Sequence, residues 1–302
     1  MEIIKSETHF NFVAMMKMAV TISIVYILIG IASIFWHGGL NFGIDFAGGT
    51  LIQIRFDQET SVEKLRQTLE PIGMENSIIQ QFGPNEMVVR TAASSMDLKG
   101  LSGQIENALQ TTYGQKAYEI RRVESVGPKV GSDLTRKALL AIIFSWIGIL
   151  VYVGFRFELR YAFGGIIALV HDVLVTVGTL SLLNKEFDLI IVAALLTIIG
   201  YSINDTIVIF DRIRENTRKN MKMPLMDVIN LSVNQTLSRT LLTSFTVILV
   251  LLALFFFGGP VIHDFAFTLL VGCIAGVYST VFIASPIVLA FEKIRPSRIK
   301  RN

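Results

Sequence analysis

The chain reads as a polytopic α-helical membrane protein of six transmembrane helices, with one extracytoplasmic ferredoxin-like α+β domain between the first and second. Three observations lead there. Hydrophobic residues make up 52% of the 302 positions and charged residues only 17%, with a mean hydropathy of +0.58, which is too apolar for an ordinary soluble domain. Six apolar runs, at 18–36, 138–155, 162–183, 189–210, 240–257 and 265–291, each reach the roughly 17 to 25 residues that cross a hydrocarbon core of about 30 Å. Between the first two runs the periodicity changes to that of a β-α-β-β-α-β unit.

The run at 18–36 is long and starts late, and Ile31-Ala32-Ser33-Ile34-Phe35-Trp36 offers no small-residue cleavage site, so a span is favoured over a cleaved signal peptide. The segment Asn41-Phe42-Gly43-Ile44-Asp45-Phe46-Ala47-Gly48-Gly49-Thr50 follows. Its glycines permit tight bends, and spacing alone favours a simple turn into the next strand. Alternation over 50–56 predicts that strand. Ser61-Val62-Glu63-Lys64 is a capping-type start for a helix to about Leu69, which Pro71-Ile72-Gly73 ends. Strands at 77–82 and 87–91 join through Gly83-Pro84-Asn85-Glu86; a second helix spans 97–113 and a last strand 117–126. This is the split β-α-β order in which two helices cover one face of a four-stranded sheet. Glu63, Glu70 and Asp97 read as solvated helix positions, and the domain contains neither cysteine nor histidine. Without a catalytic constellation, it is expected to be a part that touches something or moves.

Basic residues set the orientation, because cytoplasmic loops carry the excess of Lys and Arg. With the N-terminus inside, the cytoplasmic segments hold Lys5 and Lys17; Arg156 and Arg160; Arg212, Arg214, Arg218, Lys219, Lys222 and Arg239; and Lys293, Arg295, Arg298, Lys300 and Arg301. The short outer loops contain only Lys185. The expected organisation is a cytoplasmic N-terminus at 1–17, the first helix at 18–36, an extracytoplasmic segment with the domain at 37–137, helices two to six at 138–291 and a basic cytoplasmic tail at 292–302.

Several function classes fall away. A net charge of +3 gives no electrostatic argument for nucleic acid. The single Cys273 forms no intrachain disulfide and no cysteine metal cluster, and His9, His37, His171 and His263 are too scattered for metal-ligand spacing. No glycine-rich segment ends in the Lys-Ser/Thr of a nucleotide-binding loop, so ATP hydrolysis and a bound cofactor are not expected.

The informative residues are polar groups inside the spans. Asn204 and Asp205 lie within the fourth, where a carboxylate costs roughly 2.5–3.5 kcal/mol on insertion scales and commonly marks a proton or ion route. A structural carboxylate is the competing reading. In the third span His171 and Asp172 stand mid-run; adjacent residues do not face each other on a helix, so they are not expected to neutralise one another. Asp172, Thr176 and Thr179 share a face, and a helix-helix hydrogen bond competes with a functional role. In the fifth span Gln235, Arg239, Thr243 and Thr246 form a polar stripe of helical period, with Leu241, Leu242, Phe245 and Ile248 supplying apolar surface. Arg239 falls at a depth similar to Asp205. An arginine beside a buried carboxylate favours its ionised form and separation favours protonation, so a rearrangement that parts them captures or releases a proton. An interfacial anchor is the alternative for Arg239. Gly272-Cys273-Ile274-Ala275-Gly276, extended by Thr268 and Thr280, is a GxxxG pattern read as internal packing.

Taken together, Asn41 to Gly49, Val126-Gly127-Pro128, His171-Asp172, Gly200-Tyr201-Ser202-Ile203-Asn204-Asp205-Thr206, Phe210 to Glu215 and Ser238-Arg239-Thr240-Leu241-Leu242-Thr243-Ser244 resemble the SecF family along the whole chain. The resemblance implies a subunit of the SecD-SecF accessory complex of protein export, related to the resistance-nodulation-division superfamily, which uses the proton motive force to help a preprotein emerge from the plasma (inner) membrane. It implies SecD as the partner completing a twelve-helix base, with the SecYEG channel, the SecA ATPase and the translocating preprotein beside it and YajC as a further candidate. By motif position the family's intramembrane acid and base fall on Asp205 and Arg239, with Asp172, Asn204 and His171 nearby, while Gly43, Asp45, Phe46, Gly48, Gly49, Gly272 and Gly276 are structural. A half-size small-molecule exporter and a non-transporting scaffold are the rival classes.

Overall fold

The apolar runs are helices in the computed structural model, which describes residues 8–75, 77–83, 85–91, 98–114 and 117–294. Lys5, Pro84, Asp97, Arg295, Arg298, Lys300 and Arg301 lie outside the described residues. Two units result, Phe42–Leu139 on one side and Met1–Asn41 with Leu140–Asn302 on the other.

The smaller unit opens with a single helical turn, α2 (Ile44–Ala47), where spacing alone suggested a plain turn. Gly48 follows at φ 75° and Gly49 at φ 120°, both in the region that favours glycine. Strands β1 (Gly49–Phe56), β2 (Ile78–Gly83), β3 (Glu86–Thr91) and β4 (Tyr118–Val126) alternate with helices α3 (Val62–Leu69) and α4 (Leu98–Tyr113). Their sheet order is β2-β3-β1-β4, antiparallel throughout. That is the ferredoxin-like arrangement the periodicity predicts. The Ser61 hydroxyl caps α3 by accepting from the Lys64 amide at 3.2 Å, and Gly73 at φ 76° closes the turn after it. One face of the sheet, with Ile52, Ile54, Phe56, Met87 and Val89, meets Leu65, Leu69, Ile105 and Leu109 in a single apolar core. Glu63 and Glu70 are exposed, as solvated helix positions should be.

Among the described residues six helices are long and apolar enough to cross a membrane. They are α1 (Phe12–Trp36), α5 (Pro128–Arg156), α6 (Leu159–Leu182), α7 (Leu189–Lys219), α8 (Leu225–Phe257) and a sixth made of α9 (Gly259–Ser279), a π-helical turn at Thr280–Ala284 and α10 (Ser285–Ile294). Most outrun their apolar stretches because capping and polar end turns extend them. Asn11 accepts from the Ala14 amide at 3.0 Å at the start of α1, and Asp188 from the Ile191 amide at 2.8 Å at the start of α7.

Burial separates central from peripheral spans. More than half of the apolar window is buried in α6 (56%) and in the sixth span (61%), against 17% in α1, 11% in α5 and 17% in α8. The last three therefore present most of their surface to lipid or to another protein. Small residues bring the helices together. A Cβ on Gly30 of α1 would stand 2.7 Å from the Gly178 Cα of α6. On either side of that crossing Tyr26 pairs with Thr179 at 2.9 Å and Ser33 with Ser181 at 3.1 Å. The GxxxG glycines seat α9 on α7: a Cβ on Gly272 would collide with the Ile198 side chain, and one on Gly276 would lie 3.1 Å from the Ser202 Cβ.

The Gly30→Val chain is expected to melt earlier in detergent than the parent, since overpacking of this kind costs about 1–3 kcal/mol. Gly148→Ala, whose Cβ meets nothing within 4 Å, should leave the melting temperature unchanged.

Candidate functional site

Two polar centres lie within the helical bundle. The first is Asp205, half-buried on α7. Its Oδ1 accepts from the Thr240 hydroxyl of α8 at 2.7 Å, while its Oδ2 is buried and has no hydrogen-bond partner among the described residues. An acceptor left bare in apolar surroundings costs about 1–3 kcal/mol, more when charged. Arg239 acts on Asp205 through space but makes no ion pair among the described residues, so the anticipated contact is replaced by one from the neighbouring threonine. Successive side chains on a helix are about 100° apart. With Thr240 turned inward, Arg239 points out.

The same rotation turns the polar stripe of the fifth span outward. Gln235, Arg239, Thr243 and Thr246 are all exposed, and the buried row is Ser232, Thr236, Thr240 and Ser244, spaced four residues apart about 100° round the helix. Ser244 accepts from the Tyr201 hydroxyl at 3.1 Å, which joins α7 to α8 next to the acid. Leu241, Leu242 and Phe245 are exposed with the outer stripe, and Asn204 is exposed on α7. The α7–α8 face thus carries polar groups at membrane depth.

The second centre is built on Asp172, which has 0% exposure near the middle of α6. Its Oδ2 accepts from Ser202 of α7 at 2.6 Å and from Ser279 of α9 at 2.9 Å. Its Oδ1 lies 3.0 Å from Nδ1 of His171. The expectation that these neighbours do not neutralise one another is therefore corrected: the imidazole is long enough to reach the carboxylate across adjacent helix positions. A carboxylate only accepts, so Nδ1 carries a proton toward Asp172 and Nε2 is left on the far edge of the ring. There the Ser23 hydroxyl of α1 lies at 3.0 Å. Tyr278 stacks beside the ring at 6.0 Å between centroids and donates to the Ala19 carbonyl at 2.6 Å. Thr176 and Thr179 share the face of Asp172 but donate instead to the carbonyls of Asp172 and Val175, both at 2.7 Å.

Four spans thus converge on one carboxylate-imidazole pair. A cavity of about 360 Å³ opens next to it between α1, α6 and α9, bordered by Ser23, Tyr26, His171, Thr179 and Tyr278. Immediately beyond Ser279, Thr280 pairs with Thr206 of α7 at 3.0 Å, and the π-helical turn Thr280–Ala284 begins. Such turns recur where a helix is bent for function.

The glycine-rich segment ahead of β1 holds backbone against backbone. A Cβ on Gly131 of α5 would lie 2.7 Å from the Phe46 carbonyl oxygen, and one on Gly48 would lie 3.1 Å from the Pro128 Cα. Phe42 and Phe46 pack edge to face at 5.9 Å, and Gly43 leads into α2 in extended backbone. Asp45 stands in that single turn.

Ser23, Ser202, Thr240 and Ser279 carry these contacts and were not anticipated. The period-four row of hydroxyls in α8 was a usable signal for Thr240. Nothing local marks the other three, which matter only because α1, α7 and α9 surround α6. Among the described residues no group of three or more His, Cys, Asp or Glu is placed to hold a metal.

Comparison with known proteins agrees with the helical layout. Residues 104–294 match the profile described as protein export membrane protein SecD/SecF, C-terminal, and residues 34–60 match the SecD/SecF GG motif. The chain is 48% identical over 296 residues to protein translocase subunit SecF of Magnetococcus marinus, covering 97% of this chain and 95% of the relative. It is 45% identical to the subunit of the same name from Calditerrivibrio nitroreducens, covering 98% of each. The crystal structure of SecDF, a translocon-associated membrane protein from Thermus thermophilus, matches with a TM-score of 0.87 at 36% identity, over 96% of this chain and 40% of that one. A solved SecDF in a super-membrane-facing form matches with a TM-score of 0.70 at the same identity. The chain spans about two fifths of those SecDF chains and nearly the full length of the SecF relatives, and it belongs to the SecF branch of the SecD/SecF protein export membrane proteins.

Proposed function

We propose that this chain uses the proton motive force to promote late steps of preprotein movement across the plasma (inner) membrane, with Asp205 as its proton-exchanging acid. The observation that carries the reading is the half-satisfied carboxylate: one oxygen held by Thr240, the other buried without a partner. Such a group gains from a proton, or from a cation that swings in, and Arg239 stands one residue before Thr240 on the same helix. Movement of the outer stripe of α8 toward Asp205 supplies that cation and favours the ionised form; retreat favours protonation. Asn204 lies beside the acid on the exposed side of α7.

The His171–Asp172 pair is the second part of the proposed route. It bonds groups on α1, α7 and α9, so a change in its proton content alters contacts in the spans that pack closest. Ser279 is the last residue before the π-helical turn, which makes the sixth span the element most directly biased. The two solved SecDF structures match this chain with TM-scores of 0.87 and 0.70 at equal identity, as alternative arrangements of the same segments would.

SecD, which the SecDF chains carry together with the SecF part, fits the α7–α8 face. Polar groups facing lipid at that depth are costly, and a second helical bundle removes them from it. The positive-inside rule orients the chain with both termini in the cytoplasm and the ferredoxin-like domain outside, where it meets the preprotein leaving the SecYEG channel after SecA has started it. YajC belongs to the same proposed assembly.

In cells with normal amounts of protein, Asp205→Asn is expected to reduce gradient-driven export to the level of cells lacking the chain, and to abolish proton flux through the reconstituted SecD-containing complex. Undiminished export removes Asp205 from the route, and absence of flux in the parent complex favours a scaffold. Asp172→Asn keeps the side-chain shape and should melt within a few degrees of the parent while lowering flux; full flux in a folded Asp172→Asn protein assigns Asp172 to packing alone. A cysteine at position 243 is expected to form an oxidative cross-link to SecD, and one at Ile22 on α1 to form none; cross-links from both or from neither refute the assigned face.

A further inference from the structure

We infer that the cavity walled by α5, α7 and α8 binds the phosphate of an anionic phospholipid headgroup. It has a volume of about 580 Å³, and Arg156, Arg212 and Arg239 reach it from the three helices. Each arginine stands at the same end of its apolar run: position 156 follows 138–155, position 212 follows 189–210, and position 239 precedes 240–257. The three cations therefore share the level at which a bilayer places its phosphates.

The carboxylates on the wall are already engaged. Asp211 accepts from Arg214 at 2.6 Å, and Glu215 accepts from Arg212 at 2.6 Å and from Lys219 at 2.7 Å. Arg156 and Arg239 make no ion pair among the described residues; Arg156 lies over the Phe157 ring at 5.4 Å. Two guanidinium forks with unused donors, facing one cavity from different helices, suit the two non-bridging oxygens of a lipid phosphodiester, which carry its negative charge.

Lipid, and not a soluble phosphate, is the source the surroundings favour. Ile207 and Val208 border the same cavity, and the adjoining surface of α5 exposes Val151 at 51%, Tyr152 at 56% and Phe155 at 90%. An acyl chain has an apolar track to follow from the headgroup, and tyrosine is at home at the interface. Basic pockets between membrane helices are a recurring means of holding anionic headgroups. Arg239 is common to this site and to the proposed proton route, whereas Arg156 belongs to this site alone and its variant separates the two readings.

The test is native mass spectrometry of the full chain released from micelles containing equal amounts of phosphatidylglycerol and phosphatidylcholine. The parent is expected to retain phosphatidylglycerol in preference. Arg156→Gln should lower that retention about tenfold, the worth of one charge-assisted hydrogen bond, while Arg218→Gln, outside the cavity on the same basic helix end, should leave it intact. Tyr152→Glu, which puts a negative charge at the exposed mouth, should lower it comparably and serves if Arg156→Gln melts early. Equal retention of the two lipids, or equal losses in the Arg156 and Arg218 variants, overturns the site. Displacement of the bound lipid by excess inorganic phosphate reassigns the source and overturns the lipid commitment.

Discussion

A carboxylate with no exposed surface, near the middle of a membrane helix, sets the terms for the rest of the bundle. Asp172 is tolerable there only because donors converge on it from its own helix and from two others, with a further hydroxyl holding His171 in place from α1. Bonds to a charged group contribute about 1.5–3 kcal/mol each, against a desolvation penalty of several kcal/mol. That convergence demands close approach of α1, α6, α7 and α9. Glycines at the crossings, Gly30 against Gly178 and Gly272 and Gly276 against α7, provide the approach. The small residues and the buried acid are one design: without the former the hydroxyls could not reach the latter.

Asp205 is held differently. It sits closer to one end of its span, half-buried, with a single threonine donor, and it faces a surface that this chain alone does not cover. One acid is satisfied by the interior and the other is left unfinished at an edge. The contrast separates a centre whose donors come from several helices from one with a single donor, and beside Asp205 the polar residues Asn204, Arg239 and Thr243 are exposed while Thr240 and Ser244 are buried. A polar stripe on the outside of a membrane helix needs a partner for the same reason that a buried carboxylate needs donors.

Much of the architecture was legible in the residues. Period-two and period-3.6 patterns, Ser61 as a cap and Gly73 as a stop are local signals, and the β-α-β-β-α-β unit followed from them. Hydropathy located six spans because the bilayer imposes a length that few other constraints imitate. The resemblance of the motifs to SecF, including the segment from Gly200 to Thr206, supplied the family, which physical patterning could not reach. Helix ends were less legible, since caps and polar end turns carry α7 and α8 well past their apolar runs.

The rotation of each helix about its own axis was the hidden quantity. In α8 two polar stripes run side by side, Gln235-Arg239-Thr243-Thr246 and Ser232-Thr236-Thr240-Ser244, and periodicity identifies both without ranking them. Only packing against α7 turned the second inward, putting Thr240 and not Arg239 on Asp205. Likewise the adjacency rule kept His171 and Asp172 apart in the sequence reading, whereas the surrounding helices pressed the two side chains onto one another. The sequence by itself determined which residue types lie within the membrane and how many spans carry them, because hydrophobic length is a one-dimensional property. Which polar groups meet was decided by tertiary structure, because a hydrogen bond depends on a few ångströms and a few tens of degrees that several helices fix jointly.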